Sequence, residues 1–158
     1  MYAADTTVST ERSEAEIKSL LRRSGADQIG TAEAPGKAGI MFTMHNRSLR
    51  IVLPLPPRES FRAKMWGGKP SGGKYRDDQV LVRWEQACRQ RWRALLLYIK
   101  AKLEAVERGI VEFEVAFLPH VVLPNGMTVE DCVRPGIKEA YDSGKVPPML
   151  PDFSGGRA

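Results

Sequence analysis

The sequence predicts a one-domain α+β protein, built from an N-terminal helix, a three-stranded antiparallel meander, a long amphipathic helix and short C-terminal helices. Three observations predict it. Residues 38–44 and 49–55 each place apolar side chains at every second position, the period of two of half-buried strands, and only the short turn HNRS separates them. A later segment repeats apolar residues at spacings of three and four, enough to cover one face of a small sheet. Finally, 158 residues with 42% apolar and 27% charged side chains suit a single core.

The elements follow in order. Thr10 or Ser13 is placed to cap a first helix that runs to about Arg23: Glu14 and Glu16 suit its positive end, Ile17, Leu20 and Leu21 make its apolar stripe, and Gly25 stops it. Residues 28–33 form a weak strand and APGK a turn; Ile40, Phe42 and Met44 then share one face of a stronger strand. In LRIVLPLP, Leu49, Ile51, Leu53 and Leu55 keep the same period, and Pro54, lacking an N–H, ends the strand or marks it as an edge.

Residues 57–78 read as a basic, glycine-rich loop. The long helix then spans about Asp78 to Arg108, with Leu81, Trp84, Cys88, Trp92, Leu95, Ile99, Leu103 and Val106 on one stripe and Gly109 at its end. GIVEFEVAF fits a strand or the opening of a helix. LPNGMTV holds an Asn-Gly turn. Thr128 with Asp131 suggests a capped brief helix, and Pro135 suits the first turn of another ending at Gly144. Residues 145–158 form an extended tail, within a single domain covering 1–158.

Several chemistries find no support in the pattern. His45, Cys88, His120 and Cys132 are all the imidazoles and thiols, and none pair at zinc-site spacing. No GxSxG elbow occurs. Glu112 and Glu114 would share a strand face, where solvation alone explains them. GGKPSGGK approaches a phosphate-binding loop but Tyr75, not Ser or Thr, follows Lys74, and no apolar strand leads into it. No catalytic residues, metal or cofactor are therefore expected. Two scattered cysteines suit a reducing compartment, the early acids of MYAADTTVSTERSEAE do not suit a secretory signal, and no apolar run would span a bilayer.

Charge is the strongest functional signal. The net charge is +5, and FRAKMWGGKPSGGKYR, residues 61–76, carries Arg62, Lys64, Lys69, Lys74 and Arg76 with no acid, so this stretch holds all of it. Phe61, Trp66 and Tyr75 stand among these cations. Lysine and arginine neutralise phosphates and release counterions, while aromatic rings stack on unpaired bases. Arg89, Arg93 and Lys100 lie within a narrow arc beside the apolar stripe of the long helix and would extend a basic track.

LRIVLPLP, WEQACRQRWRALLLYIKAKLEAVERGI and FLPHVVLPNGMTV, about a third of the chain, resemble a widespread group of small phage and prophage proteins. That resemblance implies a phage origin and action inside a bacterial cell, beside replication or recombination genes, and it assigns no active-site residues. The order of helix, meander and long helix is also similar to the core of single-strand annealing proteins and to double-stranded RNA-binding domains. The latter place lysines where Asp77 and Asp78 stand here.

These readings lead to a non-enzymatic nucleic-acid-binding protein of phage DNA replication or recombination, cytoplasmic and favouring single-stranded DNA. Arg62, Lys64, Lys69, Lys74 and Arg76 would neutralise phosphates, Trp66 and Tyr75 would stack on bases, and Arg89 and Arg93 would extend the surface; oligomers along the strand would fit. The alternative is a protein-interaction module that binds and inhibits a host defence or replication protein through an apolar surface, either the open sheet face or the tail VPPMLPDF.

Overall fold

The computed structural model describes residues 6–152. Its elements are α1 (Thr10–Arg23), β1 (Asp27–Ala34), β2 (Lys37–Met44), β3 (Arg47–Pro54), β4 (Ala63–Trp66), β5 (Lys69–Lys74), α2 (Asp77–Glu107), α3 (Phe113–Phe117) and α4 (Val129–Ser143). The architecture is the α+β arrangement expected, with one addition: a second, two-stranded sheet.

Strands β1, β2 and β3 form an antiparallel meander in that order. Both connections are two-residue turns. Pro35 sets the first while Gly36, at φ 77°, supplies the positive dihedral its second central position needs; His45 and Asn46, at φ 49° and 58°, make the second. The register pairs Ile40 with Ile51 and Phe42 with Leu49, so one face collects Ala38, Ile40, Phe42, Met44, Leu49, Ile51 and Leu53, all buried. The opposite face leaves Met41 and Val52 exposed.

Helices α1 and α2 close the core over the apolar face. Ile17 and Leu21 of α1 are fully buried, and Ser9 caps this helix by accepting the Arg12 N–H at 3.2 Å. Neither Thr10 nor Ser13 is the cap. Ser13 lies one turn before Ile17 on the same face and is buried with it. On α2 the inward stripe is Val80, Cys88, Trp92, Leu95, Leu96, Ile99 and Leu103. Leu81, Trp84 and Val106, expected on that stripe, are only half-buried. Trp84 stays at the edge because its indole N–H donates to the Pro56 carbonyl at 2.9 Å, a contact outside the core.

GIVEFEVAF resolves as the short helix α3, whose Phe113 and Phe117 are buried. Phe117 meets Phe42 edge-on at 6.2 Å between ring centroids, a geometry aromatic pairs favour. Glu112 and Glu114 therefore share no strand face. Glu112 stands just before the helix, and Glu114 pairs with Arg47 at 3.0 Å.

The C-terminal region adds to the free edge of β3. Val121 bridges Leu49, and the Val122 N–H donates to the Ser48 carbonyl at 2.8 Å. The Asn125–Gly126 turn then leads to α4, where Thr128 and Asp131 form the capping box reciprocally, each at 3.2 Å. The two helices expected here are one. Pro135 denies a partner to the carbonyl of Asp131, but both residues are exposed, so water takes the freed acceptor and the helix continues to Gly144, in the left-handed region at φ 72°. Pro147 and Met149 of the following segment cross α4 at Gly136, where a Cβ would lie 2.7 Å from the methionine sulfur. The predicted tail thus meets the domain through Pro147 and Met149, and residues 153–158 lie outside the described residues. Among the described residues no helix is long and apolar enough to cross a membrane.

Candidate nucleic-acid interface

The stretch read as a loop is a β-hairpin preceded by one 3₁₀ turn, Arg58–Phe61. Alternation of apolar residues did not announce it, because neither face of the hairpin is buried. Turn chemistry builds it instead. Gly67 and Gly68, at φ 54° and 79°, occupy the two central positions of a tight turn that side chains resist, and Trp66 pairs with Lys69 across it.

The far end of the hairpin is irregular in a way that places Lys64. Ala63 pairs with Lys74 and Met65 with Pro70, so Ser71, Gly72 and Gly73 together oppose Lys64 alone. Gly72 takes φ 79°, and the Ser71 hydroxyl donates to the Lys64 carbonyl at 3.0 Å. A Cβ on Gly73 would lie 3.1 Å from Cδ of Lys64. Glycine there leaves a channel for the lysine stem, which runs on to bring Nζ within 5.3 Å of the Tyr75 ring centroid.

Trp66, at the tip, is 83% exposed, and its neighbour Met65 is 56% exposed. Large apolar groups of this kind tuck inward in an ordinary loop; these face water beside Lys69. Tyr75 behaves differently. It is half-buried and held between cations, with the Arg83 guanidinium carbon 3.9 Å from its ring centroid and Lys64 on the same ring. Its N–H donates to the Arg62 carbonyl at 2.7 Å, which ties the base of the hairpin together.

The predicted cations divide into two groups. Lys64, Lys69 and Lys74 form no ion pair among the described residues. The arginines are engaged. Arg62 reaches Glu59 at 2.9 Å and Asp77 at 2.7 Å, contacts that hold the Glu59 carboxyl below its ordinary range and the Arg62 guanidinium above its own. Arg76 bonds Asp78 at 3.1 Å. On the body of α2, Arg89 bonds the Gln86 side chain within the same helix, and Arg93 bonds Glu16 of α1 at 3.0 Å, so only Arg93 ties the two helices together. These two residues are not brought to the hairpin by any contact.

Two cations that the sequence did not single out belong with this region. Arg83 stacks on Tyr75 from the second turn of α2, and Arg58 lies 4.9 Å from the Trp84 ring centroid. Their only sequence signal is proximity to the basic stretch. Residues 58–83 thus carry seven Lys or Arg against three carboxylates, Glu59, Asp77 and Asp78, so the surface remains strongly positive. No three His, Cys, Asp or Glu side chains among the described residues converge as metal ligands would.

Comparison with protein families, with curated proteins and with solved structures finds no match for this chain.

Proposed function

We propose that this chain is a non-enzymatic nucleic-acid-binding protein that favours single strands, with the β4–β5 hairpin as its binding arm, and that it serves phage DNA replication or recombination in the host cytoplasm. The observation that carries the reading is Trp66, 83% exposed at the end of a two-glycine turn and paired across the strands with Lys69. An exposed indole costs solubility unless something covers it, and a base stacks on it for about 1–3 kcal/mol. Lys64, Lys69 and Lys74 supply three cations free to meet phosphates. Duplex DNA offers the same phosphates but hides its base faces, hence the preference for single strands.

The test is a titration with single-stranded and double-stranded oligonucleotides at low and moderate salt. The reading expects tighter single-strand binding that falls steeply with salt. No binding at low salt would end it. One further observation favours a second reading, a protein contact: Ile137 and Tyr141 of α4, with Val146 and Leu150 after it, are exposed. Contact through those residues would barely respond to salt and would survive substitution of the hairpin lysines.

A further inference from the structure

We propose that the cavity beside the base of the hairpin is a nucleotide subsite, taking a base with an exocyclic amino group and its phosphate; the inference extends the reading of the hairpin as a nucleic-acid arm. The cavity measures about 430 Å³, within the roughly 300–1,000 Å³ of small-molecule sites. It opens between the β1–β2 turn, residues 55–58 and the first half of α2. Trp84, Pro56 and Pro57 form its walls, with buried Cys88 and Trp92 beneath.

The wall is set before anything binds. The Trp84 indole N–H is held by the Pro56 carbonyl at 2.9 Å, which fixes the ring plane, and one side of the ring already carries Arg58. A ring fixed in this way offers a flat apolar surface at little ordering cost.

The rim supplies the chemistry. Glu33 and Arg58 both line the cavity, and among the described residues neither forms an ion pair. A carboxylate without an ion-pair partner and a guanidinium seated on the Trp84 ring, both on the cavity lining, match the two ends of a nucleotide. The carboxylate accepts from the amino group of cytosine, and the guanidinium holds the phosphate. Thymine presents a carbonyl where cytosine presents its amino group, and a carboxylate repels it. Arg58 opens the 3₁₀ turn that leads into β4, so at most about 20 Å of chain separates the cavity rim from Trp66. A single strand stacked on Trp66 reaches the cavity within a few nucleotides.

The experiment uses the Trp66→Phe protein, whose remaining indoles are Trp84 and Trp92, titrated with dCMP, with dTMP, and with dodecamers of dC and dT. Saturable quenching by dCMP, about tenfold tighter than by dTMP, is expected. Glu33→Ala should erase that ratio. Ala34→Leu, which extends an exposed side chain into the cavity without touching the core, should erase the quenching while leaving the thermal melt unchanged. Absence of dCMP quenching, or an unchanged ratio in Glu33→Ala, overturns the inference. If dodecamers still bind the wild-type protein through the hairpin lysines in that event, the hairpin reading stands alone. If nucleotides quench but dodecamers bind the wild-type protein no more tightly than dCMP, the cavity stands and the hairpin reading falls.

Discussion

Replacing Lys64, Lys69 and Lys74 together by alanine separates binding from folding. All three are exposed and free of ion pairs among the described residues, so their removal costs the fold little. The exception is Lys64, whose contact with the Tyr75 ring is worth at most about 1 kcal/mol. The thermal midpoint should therefore shift by only a few degrees. Binding should change far more. Each phosphate neutralised on a single strand releases counterions and contributes about 0.7 to the steepness of log affinity against log salt, so three lysines account for about 2. Over a tenfold rise in salt the advantage of the wild type over the variant then shrinks by about 100-fold. Fluorescence anisotropy with a labelled single strand at four or more salt concentrations reads both slopes. Equal slopes for the two proteins would refute the assignment of these lysines to phosphates.

Three further outcomes follow from the geometry. Burial chiefly, with the nearby Lys102 adding and Glu130 opposing, holds His120 below its ordinary value, and its Nε2 lies 2.8 Å from the Tyr98 hydroxyl. The unfolded chain thus binds the proton more readily, so the contribution of neutral His120 is intact above about pH 6.5 and is lost as pH falls below it; denaturant melts of His120→Gln should show a smaller loss over that range. Thr128→Ala removes one half of the capping box and should cost about 1 kcal/mol, read as a lower chemical-denaturation midpoint. Arg93→Ala should cost at most about 1 kcal/mol of stability and leave the salt slope of strand binding unchanged, because Arg93 is committed to Glu16.

Much of the fold was legible because burial leaves a period. Phe42 and Ile51 belong to runs with an apolar residue at every second position, Trp92 and Ile99 recur at helical spacing, and Thr128 with Asp131 announces its own cap. The hairpin left no such trace, since it buries neither face; Trp66–Gly67–Gly68–Lys69, a two-glycine turn, was the signal that could have found it. The arginines divide along the same line. Asp77 and Asp78 stand close enough in sequence to suggest partners for Arg62 and Arg76. The partner of Arg93 comes from α1, far back along the chain, and only packing brings Glu16 there. Pro135 misled in the other direction, because a proline that frees an exposed carbonyl need not end a helix.

The most direct test of the central claim is the quencher accessibility of Trp66 in complex with a single strand. Trp84 is half-buried and Trp92 buried, so the acrylamide-sensitive emission of the free protein comes mainly from Trp66, and Trp66→Ala identifies its share. At saturation with a single-stranded oligonucleotide that share should become protected, and Trp66→Ala should weaken binding by about 1–3 kcal/mol, roughly 5- to 150-fold. An indole that remains fully accessible in the saturated complex would contradict the account.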